Sequence, residues 1–397
     1  MRKYAITVLV CLILIPVAFA QDQQNQPTGL QFSAQQILPP SISQTSTYKI
    51  ADSVTVVDHQ FHFNIETPHG EFPVTSIVLL EKRLSELRAI EEAIRIGDQA
   101  VAAQGAWQVV KQTPSGAGHL LSDPLGALRQ APRGFRKAAE NFIDPVGRHA
   151  GSLTRRKLAT NLGVDSETRN PVLKQLLDEL VTRKFAGETA TKFALSAAVP
   201  GLGTLSSMEE TRETIALRSP HELLVEMDAT LVRLGAWPAV KDEFIRNTNW
   251  TLLEKLTFMQ SYQQLIGVKH ADVMLYLANQ DTTEADVLRR IIEVQILAGL
   301  HAQNPVESVS DAGLPVAWLK DGRIVGVFAT DYLTESIEVQ QIAKGFHQQY
   351  PNRQIMLIST GWVSPKAQNI LDVNGITFVR ANAASRVSNQ QPTPIRR

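Results

Sequence analysis

The chain has 397 residues, with 39 basic and 39 acidic side chains, 44% hydrophobic residues and 6% aromatic ones. That length accommodates two or more domains, and the composition is that of a folded protein rather than a disordered one. A balanced charge excludes a general nucleic-acid coat, which needs a strong basic excess, and no nucleic acid is expected as a partner.

The first twenty residues have the layout of a secretory signal peptide. Arg2 and Lys3 form a positive start, Ile6 to Ile15 are strongly apolar, Pro16 breaks the run, and Ala18-Phe19-Ala20 is a small-x-small cleavage site. The apolar run is shorter than the ~20 residues of a spanning helix. Residues 1–20 are therefore expected to be cleaved after Ala20, which places the chain outside the cytoplasm, periplasmic or secreted. Cleavage also removes Cys11, the single cysteine. The mature chain then has no disulfide and no thiol for zinc or catalysis.

Residues 21–47 hold eight glutamines and the Pro39-Pro40 pair without a sustained apolar period, and are expected to be a linker. Residues 48–112 predict a β-hairpin and a long helix. Pairing Glu66 with Glu71 across Thr67-Pro68-His69-Gly70 sets Ile65 opposite Phe72 and Phe63 opposite Val74. Leu80, Leu84, Leu87, Ile90, Ile94 and Val101 then recur at helical spacing. Residues 113–152 contain three Pro-x-Gly triplets and are rich in basic residues. Residues 153–304 predict an irregular helical domain, with breaks near Asn170-Pro171, Pro200-Gly201, Ser219-Pro220, Gly235 to Pro238, Asn247 to Asn249, Gly267 and Gln280 to Thr282.

Residues 305–380 switch to strands and helices in the order ββαβαβ. Asp321-Gly322 marks a hairpin, a helix is expected over about 335–349, and Ile355–Ile358 reads as a strand. Ser364 caps a helix with Pro365 at its first position, Asn374-Gly375 ends it, and Ile376–Val379 closes the unit. Residues 381–397 are expected to be a disordered tail. The fold class is α+β: an N-terminal hairpin and long helix, an irregular, mainly helical centre, and a small C-terminal α/β module with a parallel strand pair.

Four constellations could carry function. His59, His62 and His69 lie near Asp58 and Glu66, but alternate strand residues face opposite ways, and same-face residues four apart are about 13 Å from each other. No metal site is expected there, and no cofactor signature occurs. The segment from Leu125 to Thr160 carries Arg129, Arg133, Arg136, Lys137, Arg148, Arg155, Arg156 and Lys157 among apolar residues. Such charge suits an anionic membrane surface or an acidic protein, although a solvated charged face is the commoner use. Residues 193–208 are uncharged and rich in small side chains, as a close-packed helix and turn would be; broken at Pro200-Gly201, they cannot span a bilayer as one helix. The best ligand candidate is the strand-to-helix turn of Thr360, Gly361, Ser364 and Lys366, where free helix N–H groups could receive an anion.

Leu158-Ala159, Leu162-Gly163-Val164-Asp165 and Asn170-Pro171-Val172-Leu173, with Thr360-Gly361-Trp362-Val363-Ser364-Pro365-Lys366-Ala367 and Gly375-Ile376, resemble a group of exported bacterial proteins of unknown function. That resemblance implies no activity. The C-terminal unit is similar in element order to restriction-endonuclease-like domains of the modification-dependent type, at Thr360, Gly361, Ser364 and Ala367. Their chemistry requires an Asp on one strand and Glu/Gln-x-Lys on the next to hold a divalent ion. Ile324-Val325-Gly326-Val327-Phe328-Ala329 lacks that triplet, and Asp331 has no lysine partner two residues after an acid. The expected role is thus non-enzymatic, that of an interaction or structural protein with a protein partner. The alternatives are a hydrolase or degenerate nuclease at the C-terminal unit, and a membrane-surface protein.

Overall fold

The computed structural model describes residues 29–45, 47–67, 70–97, 149–182, 207–381 and 391–395. The expected signal peptide, the basic residues from Arg129 to Arg148, His69, Val101 and most of 193–208 lie outside them.

The N-terminal sheet grows from strong β-formers in alternation. Strand β4 (Gln60–Thr67) is flanked on one side by β3 (Ser53–Val57) and β2 (Lys49–Ile50), and on the other by β5 (Gly70–Thr75). Ile65 faces Phe72, Phe63 faces Val74 and Glu66 faces Glu71, the register expected from alternation. β3 turns into β4 through Asp58 and His59, both with positive φ (48° and 65°), the backbone of a two-residue hairpin turn that matches strand twist.

The linker expected over residues 21–47 must be corrected. Gln31–Ser33 form an edge strand, β1, antiparallel to β3, followed by two single-turn helices, α1 (Ala34–Ile37) and α2 (Pro40–Ser43). Phe32, Ala34, Ile37, Leu38 and Ile42 are buried in the core. Their apolar side chains are too irregularly spaced to show a period, yet numerous enough to fold onto the sheet.

Helix α3 (Ile77–Gly97) crosses from this sheet into a helical layer. The layer contains α4 (His149–Asn161), α5 (Pro171–Thr182), α6 (Ser207–Leu217), α7 (Pro220–Arg233), α8 (Pro238–Arg246), α9 (Leu252–Tyr262), α10 (Val273–Gln280) and α11 (Glu284–Gln303). Capping boxes at Ser219/Glu222, Thr251/Glu254 and Thr283/Asp286 start three of these helices, each satisfying N–H groups that would otherwise lack partners. No helix among the described residues is long and apolar enough to cross a membrane.

The C-terminal sheet has the order β12-β10-β8-β7-β6: β6 (Val306–Asp311), β7 (Pro315–Leu319) and β8 (Ile324–Val327) are antiparallel, while β10 (Ile355–Ser359) runs parallel to β8 and to β12 (Ile376–Arg380). α12 (Ile337–Gln349) and α13 (Pro365–Val373) supply the crossovers. A two-stranded parallel ribbon pairs β9 (Tyr332–Leu333) with β11 (Trp362–Val363). One apolar core unites the N-terminal sheet, the helical layer and the inner face of this sheet, so the hairpin, helical and C-terminal segments share one interior; α12 and α13 cover the other face with a smaller core.

Residues 391–395, within the expected disordered tail, lie against this body. The Ile395 N–H donates to the Gln31 carbonyl (2.7 Å) and the Gln391 amide donates to the Val363 carbonyl (2.7 Å).

Candidate functional site

The turn after β10 is where a ligand was expected. The side chains of Thr360, Ser364 and Lys366 each have a partner within the chain. Thr360 Oγ1 donates to the Thr330 carbonyl (3.1 Å), and Arg380 Nε donates to the Thr360 carbonyl (3.3 Å) while its guanidinium lies 4.3 Å over the Trp362 ring. Gly361 is required by a close approach, since a Cβ there would collide with the Asp331 carbonyl. Ser364 caps α13 by accepting the Ala367 N–H (3.1 Å) and donates to Glu335 (3.1 Å), and Lys366 pairs with Glu335 at 3.0 Å. The chain thus brings its own carboxylate to this helix start. Burial would raise the Glu335 carboxyl, but hydrogen bonds from its own backbone, Lys366 and Ser364 hold it below its ordinary value.

Next to this turn lies a junction that joins the N-terminal hairpin to the C-terminal sheet. The buried Asp331 carboxylate accepts the N–H groups of Phe61 and Ile77, each at 3.0 Å, and so satisfies a strand end and the first turn of α3. Burial pushes its carboxyl up to about 7, against the pull of those two donors. The His59 carbonyl accepts the N–H groups of Asp331 (3.1 Å) and Tyr332 (3.0 Å). Ser359 and Thr330 hydroxyls meet at 3.0 Å.

A histidine, a serine and an aspartate here invite comparison with a nucleophilic triad, and the hydrogen bonds assign them otherwise. His59 Nδ1 accepts the Thr334 N–H (3.1 Å), so the ring proton sits on Nε2, the nitrogen facing Ser336 Oγ at 3.3 Å. A general base for Ser336 would need that nitrogen bare. Ser336 in turn accepts the Val339 N–H (3.1 Å) as the cap of α12. Burial, opposed by Asp58, holds His59 below its ordinary value, which keeps the ring neutral. His62, opposite Thr75 in the register of β4 and β5, is half-buried. Among the described residues no three His, Cys, Asp or Glu side chains converge as a metal site would require.

The densest charged cluster is one that sequence periodicity did not reveal. In α3, Lys82, Arg83 and Glu86 are buried, covered by α9, α11 and the loop before α5. Lys82 Nζ reaches Glu254 (2.9 Å) and Glu284 (2.6 Å); Arg83 pairs with Glu86 (2.8 Å) and with Glu284; Arg169 meets Glu254 (2.8 Å) and Glu284 (3.3 Å). Thr168 Oγ1 donates to Glu86 (2.7 Å), and Thr251 Oγ1 donates to Asp165 (2.6 Å). Glu254 and Glu284 double as first-turn acids of α9 and α11, where helix N-termini favour negative charge. Burial would raise both carboxyls, but the surrounding cations hold them below the usual range. Asp165, buried with less compensation, is pushed up. The three cations and three glutamates of the centre cancel in formal charge.

The described members of the basic segment are also partly absorbed. Arg156 is buried and donates to the Ile215 carbonyl (2.9 Å); Arg155 donates to the Ser166 carbonyl (2.8 Å) and pairs with Asp178; Lys157 is exposed. Arg155 and Arg156 therefore hold α4 to its neighbours instead of forming an open basic face. Arg129, Arg133, Arg136 and Lys137 lie outside the described residues.

Capping and hairpin signals are local, so Ser364 and Asp321-Gly322 could be read in advance. The network could not, because an amphipathic period shows which face is polar and not whether another layer covers it. Compared with family models, curated proteins and solved structures, the chain gives no match.

Proposed function

We propose that the chain is an exported, non-enzymatic protein that works by binding another protein, with the helical layer presenting the contact. The supporting observation is a set of large apolar side chains left in solvent on α6, α7 and the entry to α8. Val225 and Val232 are 55% and 59% exposed and stand two turns apart on one face of α7, and Trp237, at the entry to α8, is 67% exposed. Leu217, at the end of α6, is 78% exposed. Polar pairs flank the set, Arg218 with Glu226 and Lys241 with Asp228. An exposed tryptophan beside valines, rimmed by charge, is the composition of a protein-recognition surface. Export is supported by Arg2, Lys3, the apolar run and Ala18-Phe19-Ala20. The engagement of His59, Ser336, Ser364 and Asp331 in backbone hydrogen bonds weighs against the hydrolase alternative.

The test is photo-crosslinking in the producing cell. A photoreactive residue at 232 or 237 should give a discrete larger adduct, whereas one at exposed Lys344 on α12 should not. Exported material should begin at Gln21. Equal labelling from all three positions, or none from 232 and 237, would refute the contact; an intact Met1 would refute export.

A further inference from the structure

Among the described residues β1 is an outer strand of its sheet and β11 pairs only with β9. The Gln31 and Val363 carbonyls receive hydrogen bonds from residues 391–395. Along that segment Pro392 is buried and Pro394 half-buried, whereas Gln391, Thr393 and Ile395 face solvent. This is the period of two of an extended chain laid on a surface, about 13 Å from the first anchor to the last at strand rise.

The seat is incompletely filled. The indole N–H of Trp362 is buried and has no acceptor, and the buried Tyr332 hydroxyl lies near the Gln391 amide without closing a hydrogen bond. Tyr332 and Trp362 are register partners and both pack on Phe61. A buried hydroxyl without a partner costs free energy, so a segment placing a carbonyl or amide oxygen over Tyr332 would hold better than the resident one.

We propose that the outer edge of β1 and the β9–β11 ribbon form a docking site for an extended, uncharged, proline-bearing segment of another protein, and that residues 391–395 occupy it in cis as a displaceable strap. The recognition is strand addition at an edge: main-chain hydrogen bonds supply the grip, and inward pockets at alternate positions supply selectivity. The required partner has an amide-bearing first residue for the Val363 carbonyl, small apolar residues at the second and fourth positions, and a free backbone N–H at the fifth for the Gln31 carbonyl. This surface is distinct from the Val225–Trp237 set and does not depend on it.

The experiment uses the full chain and a labelled peptide of residues 389–395. In a full-length Gln391→Ala/Pro392→Asp variant the strap is unseated, and the peptide should bind saturably, at least about tenfold more tightly than to the unaltered chain, where the strap competes. A matching melting curve for the two chains shows that the variant is folded. Binding that is equal in both chains, absent from both, or shared by a scrambled peptide would overturn the site. A dimer of the unaltered chain that disappears in the variant would make the occupant a second copy and overturn the assignment to a different protein.

Discussion

Among the helix starts that carry charge, the one at α13 and those at α9 and α11 make the sharpest contrast. At α13, Lys366 and Glu335 pair at 3.0 Å with the lysine 79% exposed. At α9 and α11, Glu254 and Glu284 are buried among Lys82, Arg83 and Arg169, on elements far apart in sequence. The first pair can dissociate into water at little cost, because water replaces each partner. The second cannot, since losing one ion leaves its counter-ions in a medium that solvates them poorly. Charge at the surface thus adjusts a local feature, while removing one buried ion of the interior set is expected to weaken the contact of α3 with the helical layer.

That contrast is sharpened by breaking it. The largest loss is expected for Lys82→Met, which leaves Glu254 and Glu284 with one cation fewer in a buried site; about 3–5 kcal/mol of stability should be lost in a urea titration. A smaller, pH-dependent effect is expected at Asp331. Its folded value, about 7, stands above the unfolded one, so its contribution is full below about pH 4 and is lost as pH rises through 7. Asp331→Asn keeps an acceptor for Phe61 and Ile77 without the charge. Its stability relative to the unaltered chain should therefore improve by about 1–4 kcal/mol between pH 4 and pH 8, and a pH-independent difference would exclude this titration.

Ser364→Ala removes the cap of α13 and one partner of Glu335, and should cost about 0.5–2 kcal/mol by thermal melting. Lys366→Ala should change stability by less than about 1 kcal/mol, with the difference shrinking further in high salt. If Lys366→Ala proved the more damaging of those two, the α13 start would have to be held by charge rather than by its cap.

The same contrast separates what the sequence discloses from what it does not. The C-terminal order ββαβαβ was legible because Asp321-Gly322, Ser364-Pro365 and Asn374-Gly375 act through their own backbone, whatever packs around them. The β4–β5 register was legible because one slipped residue would turn every apolar side chain outward. The additional β6 strand and the β9–β11 ribbon escaped notice. β6 alternates weakly, and two-residue strands have no period at all. Residues 31–43 read as linker because their apolar anchors follow neither a helical nor a strand period and stand among glutamines, serines and the Pro39-Pro40 pair. His59 stood out as a histidine near acids, yet its place in the structure depends on Thr334 and Ser336, about 275 residues away along the chain. Long-range partnership of this kind leaves no local mark. Buried Lys82, Arg83 and Glu86 follow the same logic, since their partners come from α9, α11 and the loop before α5.

The most direct test of a fastening role for the buried charges is a double-mutant cycle on Arg83 and Glu284, followed by urea unfolding of Arg83→Met, Glu284→Gln and the pair. Each single change should cost about 3–5 kcal/mol, and the double change clearly less than their sum, because the second substitution removes the ion that the first left unpaired. Single variants as stable as the unaltered chain, or more stable, would contradict that role and point to charges retained for reactivity at the expense of stability.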